Sequence, residues 1–100
     1  MFYETIKLTC KNRCSIQRGS VVTIEVNEEV CIPENCIGMF YIRKKHAVQG
    51  IQQLVHSPFK EGMYIPTVSV KSDAISSVEL LSGDELGELF IFGNGNVCTP

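Results

Sequence analysis

Short alternations of apolar and polar residues, separated by turn residues, are the feature that most constrains the fold of this chain. Ile6, Leu8 and Cys10 alternate with polar side chains, and the stretch "VVTIEV" at 21–26 repeats the pattern with β-branched residues. A period of two places every second side chain on the same face of a strand. The sequence therefore predicts β-strands that each bury one face.

Turn residues interrupt the alternation at intervals of roughly ten residues. Further strands are expected at "VCI", "IGMFYI", "MYIPTVSV", "AISSVELL" and "LGELFIF". Pro66 inside one of them is tolerated only near a sheet edge or a bulge. A short helix could form only at "HAVQGIQQLV", and Gly50 in its middle weakens it. We expect about seven or eight strands in an all-β sandwich or barrel with little or no helix.

Length and composition indicate one folded domain. The chain has 100 residues, 44% of them hydrophobic and 20% charged, which predicts a single domain over residues 1–100. A net charge of −2 argues against general nucleic-acid binding, which needs a basic surface. No apolar run reaches the roughly 20 residues that span a bilayer. Glu4 and Lys7 interrupt the first segment where a secretory signal would be apolar, so a cytoplasmic location is expected.

The chain contains five cysteines. An odd number without an export signal favours free thiols in a reducing compartment. A zinc site made of Cys10, Cys14, Cys31 and Cys36 is conceivable, but structural zinc pairs more often have two residues between the ligands. We therefore expect no metal site, with Cys10 and Cys31 as small apolar side chains at strand positions and Cys14 and Cys36 beside turns.

The strand "IGMFYI" ends in a run of basic and titratable residues: Arg43, Lys44, Lys45 and His46. These side chains could bind a phosphate group. Alternatively, they are a solvated strand end or an edge protected by charge. The second interpretation is favoured, because phosphate sites usually add backbone amides from a glycine-rich turn. His46 and His56 could also share a metal, although two histidines on loops are more often simply exposed.

Two segments resemble the trimeric dUTP pyrophosphatases (dUTPases) and their dCTP deaminase relatives. In the first, "SIQRGSVVTIEVNEEVCIPENCIGMFYIRKKHAVQGI", a turn, a strand and a second turn lead to an arginine with a glycine seven residues later. The second, "VELLSGDELGELFIF", is similar to a late strand, turn and strand of the family. The resemblance covers roughly residues 15–92. It implies a dUTPase-like domain of the β-clip type. The matching positions are Gly19, Ile32, Pro33, Gly38, Arg43, Gly50, Gly83, Asp84, Leu86, Gly87 and Leu89.

The catalytic motifs of that family match less well. Arg43 corresponds to an arginine that holds the triphosphate, but Lys44 and Lys45 replace the serines that follow it. His56 stands in place of the aspartate that activates water, and Phe59 in place of the tyrosine that stacks on the deoxyribose. The family's first motif and its glycine-rich arm are not found, and Thr67 replaces the deaminase glutamate. The resemblance therefore implies a degenerate member in which both known activities are lost.

The resulting prediction is a non-catalytic dUTPase-like protein, of phage, mobile-element or bacterial origin, that binds a nucleotide, a phosphate group or a protein partner. The resemblance implies a homotrimer. No cofactor is expected, and Mg²⁺ enters only with a bound nucleotide phosphate. The alternative is a divergent hydrolase that cleaves a nucleoside triphosphate to a monophosphate and pyrophosphate with His56 as the base. The predicted ligand-binding residues are Arg43, Lys44, Lys45, His46 and Phe59.

Overall fold

A computed structural model describes residues 2–54 and 58–93 of the chain. This part contains ten β-strands and one short helix. In chain order the elements are β1 (Phe2–Thr9), β2 (Cys14–Ile16), β3 (Val21–Glu25), β4 (Val30–Ile32), β5 (Cys36–Ile42), α1 (Lys44–Val48), β6 (Ile51–Gln53), β7 (Gly62–Tyr64), β8 (Thr67–Ser72), β9 (Val78–Leu80) and β10 (Glu85–Gly93).

The strands form four small antiparallel sheets. Two sheets have three strands, in the orders β1-β10-β5 and β3-β8-β6, and two are ribbons that pair β2 with β9 and β4 with β7. The all-β class predicted from the alternation is confirmed, and the described strands do not close into a barrel. The longest strand, β10, lies in the middle of its sheet between the first strand and the strand that carries Arg43 at its end.

The core consists of the inward-facing residues of these sheets. In β3, Ile24 is buried while Thr23 and Glu25 on the opposite face are exposed, as the period of two predicts. Burying a leucine, isoleucine or valine completely contributes roughly 1.5–3 kcal/mol, so the inner faces supply most of the driving force for folding. Residues with 0% exposure include Leu8, Ile16, Val30, Val70, Leu80, Leu86, Leu89 and Ile91.

The number of strands was predicted too low for three reasons. No strand was expected at "CSI", but Cys14–Ile16 is β2 and pairs with β9. Ile51–Gln53, within the possible helix "HAVQGIQQLV", is strand β6 and pairs with β8. The expected strand "MYIPTVSV" is divided at Pro66 into β7 and β8. Proline has no backbone N–H to donate to a ladder, so the chain changes sheets at this residue.

Gly83 and Asp84 form the turn that precedes β10. The Leu81 backbone N–H donates to the Asp84 carboxylate at 2.8 Å, and the Asp84 N–H donates back to the Leu81 carbonyl at 3.0 Å. Gly83 supplies the positive φ of +89° that this turn requires. Asp84 therefore fixes the turn from which β10 begins.

The helix begins earlier than the sequence indicated. It starts at Lys44, inside the basic run, and ends at Val48. Gly50 then takes a φ of +103°, and its N–H donates to the Ala47 carbonyl at 3.1 Å. This left-handed residue ends the helix and directs the chain into β6. The interpretation of Arg43 to His46 as a strand end is therefore wrong for Lys44, Lys45 and His46.

The described cysteines are free thiols. Cys10 and Cys36 are buried and Cys31 is exposed, while Cys98 lies outside the described residues. Within residues 2–54 and 58–93, no three His, Cys, Asp or Glu side chains come together as a metal site. The one described helix is far too short to cross a membrane.

Candidate functional site

The candidate site lies on the outer face of the sheet β1-β10-β5. The strand register places Lys7 of β1 opposite Glu88 of β10, and Glu88 opposite Tyr41 of β5. The next row on this face contains Thr5, two residues before Lys7 on β1, and Phe90, two residues after Glu88 on β10. Because side chains alternate across a strand, the same elements that bury leucines inside present a mixed charged and aromatic surface outside.

A groove of about 770 Å³ runs over this face. Its volume is within the range of roughly 300–1,000 Å³ that is usual for small-molecule pockets. Both charged and aromatic side chains line it, so it offers both ionic and stacking contacts. The lining residues are Lys7, Tyr41, Ile42, Arg43, Lys44, Glu85, Gly87, Glu88, Phe90 and Phe92.

The basic end of the groove is built where β5 becomes α1. The Arg43 N–H donates to the Leu86 carbonyl at 2.9 Å, which keeps Arg43 in register with β10. The Arg43 carbonyl then accepts the His46 N–H at 2.9 Å and starts the helix. The side chains of Arg43 and Lys44 are both exposed, so the change from strand to helix leaves two neighbouring cations accessible at one end of the groove.

Aromatic rings form the floor beyond the charged end. Tyr41 and Phe90 meet edge to face with their ring centroids 5.3 Å apart, and Phe90 stacks on Phe92 at 6.3 Å. Tyr41 is 53% exposed, so its ring is accessible to a planar ligand. Contacts between aromatic rings contribute favourable free energy beyond that of burying apolar surface area. This part of the groove suits a flat, uncharged ring.

His46 does not face this groove. Its side chain is only 3% exposed, and Nε2 lies 2.8 Å from the Glu85 carbonyl oxygen. A carbonyl only accepts, so Nε2 carries the hydrogen and donates it. The other ring nitrogen, Nδ1, is buried without a partner among the described residues. The expectation of an exposed histidine is therefore wrong for His46, which ties α1 to the first residue of β10.

Gly87 allows β5 and β10 to approach closely beneath the groove. A Cβ at this position would lie 2.6 Å from the Phe40 ring and 2.9 Å from the Ile42 Cα, and it would also clash with the Tyr41 carbonyl oxygen. Any side chain would push the two strands apart. The glycine that the family resemblance singled out thus has a packing role directly under the site.

The structure brings together only some of the predicted site residues. Arg43 and Lys44 line the groove, and Lys45 is exposed on the same helix but is not part of the lining. Phe59 is half-buried, packs against the core and lines a separate cavity of about 200 Å³. His56 lies outside the described residues. The roles assigned to these residues stay predictions.

Several lining residues escaped the sequence analysis. The predicted ligand-binding residues did not include Tyr41, Glu85, Glu88, Phe90 or Phe92. The available signal was the alternation in "ELGELFIF": once Leu89 and Ile91 face inward, Glu88 and Phe90 must share the outer face. What the sequence did not supply is the pairing of β10 with both β1 and β5, which places Lys7 and Tyr41 on either side of Glu88.

Sequence comparisons find no relatives: no protein-family model and no curated protein matches this chain. Solved structures do match. The native EIAV dUTPase aligns with a TM-score of 0.81 at 18% identity, covering 96% of this chain and 80% of the other. The dUTPase of Staphylococcus bacteriophage 80alpha, in a variant with dUpNHpp, gives 0.78 at 13% identity, with 96% and 74% covered.

A variant dUTPase from phage phi11 of S. aureus aligns equally well, with a TM-score of 0.78 at 13% identity and 96% and 78% of the two chains covered. Its structure is described as revealing the coordination of a structural Mg(II) ion. Identities this low establish the fold alone. The chain has the dUTPase-like fold that the two sequence segments suggested.

Proposed function

We propose that this protein is a non-catalytic dUTPase-like module that binds a nucleotide or another phosphorylated ligand in the groove on the β1-β10-β5 sheet. The observation that carries the proposal is the placement of Arg43 and Lys44 at the charged end of a 770 Å³ groove with an aromatic floor. Guanidinium and ammonium groups provide charge-assisted hydrogen bonds to phosphate oxygens. Lys45, exposed on the same helix, adds to the local positive potential.

The dUTPase fold supports a nucleotide ligand. The phage 80alpha dUTPase of this fold was determined with the nucleotide analogue dUpNHpp. The same phage enzymes are described as controlling the transfer of virulence genes by a G protein-like mechanism. This chain is therefore proposed to act by binding a nucleotide.

Thermal-shift measurements with and without Mg²⁺ test the proposal. The panel consists of dUTP, dCTP, dUMP and other nucleotides, and a bound ligand raises the unfolding temperature by mass action. Arg43→Ala is expected to weaken binding by roughly tenfold or more, since it removes a charged hydrogen-bond donor. The matched control is Arg18→Ala, which deletes an exposed arginine that does not line the groove.

The panel also separates binding from catalysis. Binding without turnover supports the proposal, and release of pyrophosphate from a bound triphosphate would favour the divergent hydrolase instead. If no nucleotide shifts the transition, or if Arg43→Ala and Arg18→Ala behave alike, the groove is not the ligand site.

The proposed assembly is a homotrimer. Met63 in β7 and Ile65 directly after that strand are 67% and 57% exposed and lie outside the groove lining, so the surface offers apolar area for contacts between copies. Closed symmetry buries such area without creating open-ended chains of subunits. Light scattering coupled to size exclusion is expected to give three times the mass of one chain, 11.1 kDa. A monomer at micromolar concentration would remove the trimer from the proposal.

A further inference from the structure

The groove contains acidic as well as basic side chains. Glu85 lines its charged end together with Arg43 and Lys44, and Glu88 lies in its middle between Lys7 and Tyr41. Three cations therefore face two carboxylates, an excess of only one positive charge. The first negative charges of a ligand are attracted by the cations of this surface. Each further negative charge is also repelled by Glu85 and Glu88.

The distance between Tyr41 and Arg43 limits the length of a ligand that can contact both residues. Tyr41 and Arg43 are two residues apart, which corresponds to roughly 7 Å along an extended strand. A planar ring on Tyr41 and Phe90 thus lies only two residues from the cations that would hold its phosphate group. A longer polyphosphate extends beyond this pair of contacts, and the groove adds no third cation at that end.

From these two observations we infer that the groove selects a phosphate monoester of an aromatic ring system, of the nucleoside monophosphate class, over the corresponding triphosphate. This inference rests on the proposed function and narrows it. Arg43 and Lys44 hold the single phosphate group, and Tyr41 with Phe90 stacks the ring. Glu85 acts as the discriminating residue because its carboxylate lies at the same end of the groove as Arg43 and Lys44 and opposes additional negative charge there.

Isothermal titration of the 100-residue chain with dUMP, dUTP, ribose 5-phosphate and pyrophosphate, with EDTA and then with Mg²⁺, tests the inference. dUMP is expected to bind at least as tightly as dUTP under both conditions. Ribose 5-phosphate, which lacks the base, and pyrophosphate, which lacks the ring and the sugar, are expected to bind more weakly than dUMP because neither stacks on Tyr41.

The decisive variant is Glu85→Gln, which removes one negative charge at the phosphate end of the groove and keeps the shape of the side chain. It is expected to tighten dUTP binding by roughly tenfold and dUMP binding by roughly threefold, because the repulsion removed scales with ligand charge. Glu25→Gln is the matched control. It makes the same charge change on the exposed face of β3, away from the groove, and is expected to leave both affinities unchanged.

The outcomes separate the two proposals. Tighter binding of dUTP than of dUMP to the unaltered protein, with or without Mg²⁺, would overturn the charge selection while leaving the proposed binding function in place. Equal effects of Glu85→Gln and Glu25→Gln would do the same, since Glu85 would then not sense ligand charge. If none of the four probes binds to the protein or to Glu85→Gln, the proposed function fails and the inference fails with it.

Discussion

The two faces of the sheet β1-β10-β5 are made from the same strands but differ in solvent exposure and in polarity. On β10, Leu89 is fully buried while its neighbour Glu88 lines an open groove, and on β5 Phe40 is 5% exposed while Tyr41 is 53% exposed. The inner face is uniformly apolar and packs into the core. The outer face combines charges and rings. Neighbouring residues therefore divide between maintaining the fold and presenting a binding surface.

This division means that stability and binding can be perturbed separately by substitutions one position apart. Truncating an inner-face residue removes packing contacts and leaves a cavity in the core. Truncating an outer-face residue leaves a space that water fills, so the loss of stability is smaller. The following predictions are given in order, from the largest expected effect on the free energy of unfolding to the smallest.

Leu89→Ala should produce the largest loss. Leu89 has 0% exposure and belongs to the main core cluster, so its truncation is expected to cost about 3 kcal/mol of unfolding free energy. Urea denaturation followed by circular dichroism measures the change. The adjacent Glu88→Ala is the control and is expected to change stability by less than about 0.5 kcal/mol. Comparable losses in both variants would show that the two faces are not distinct.

His46→Ala should cost about 2 kcal/mol, because it removes a buried ring and the hydrogen bond to the Glu85 carbonyl. Lys45→Ala, one residue earlier on the exposed side of α1, is expected to be nearly neutral. Amide hydrogen exchange gives a local readout. The Arg43 N–H, which donates to the Leu86 carbonyl, should exchange faster in His46→Ala than in Lys45→Ala. Unchanged stability and exchange would mean that His46 does not anchor the helix.

The buried thiol Cys10 should make stability depend on alkaline pH. Burial, reinforced by the nearby Asp84 carboxylate, raises the pKa of the Cys10 thiol from about 9 to about 11. Between these values the unfolded chain loses the proton and the folded protein keeps it, so stability is expected to fall as pH rises from 9 to 11. Denaturation curves at pH 8, 9, 10 and 11 test the direction. In Cys10→Ser, the part of the slope due to this thiol should disappear.

Tyr41→Ser should have the smallest effect on stability, less than about 1 kcal/mol, since the side chain is more than half exposed. The same variant should weaken dUMP binding by roughly tenfold, because the ring is a stacking surface of the groove. Denaturation and titration of one preparation give both values. A large loss of stability with unchanged affinity would reverse the assignment of Tyr41 to the binding face.

The alternation of short apolar and polar residues was sufficient to predict the all-β class and the inner-face residues of β1 and β3. It failed at Pro66 and at "CSI", where strands of three residues are too short for a period to be visible. It also misplaced the helix, because the basic run carries no N-cap side chain and no acidic first turn. His46 was read as a surface residue since histidine is usually found there, and the acceptor that accommodates it in the core lies 39 positions away.

What the sequence determined by itself is local: which residues alternate, where glycine, proline and aspartate turn the chain, and the order of segments that suggested the dUTPase fold. The tertiary structure decided which strands are neighbours. Lys7, Tyr41 and Glu88 are separated by more than thirty positions and meet only because β10 pairs with β1 on one side and β5 on the other. Strand pairing depends on backbone hydrogen bonds and the burial of whole faces, which no local pattern specifies, and it is this pairing that forms the groove.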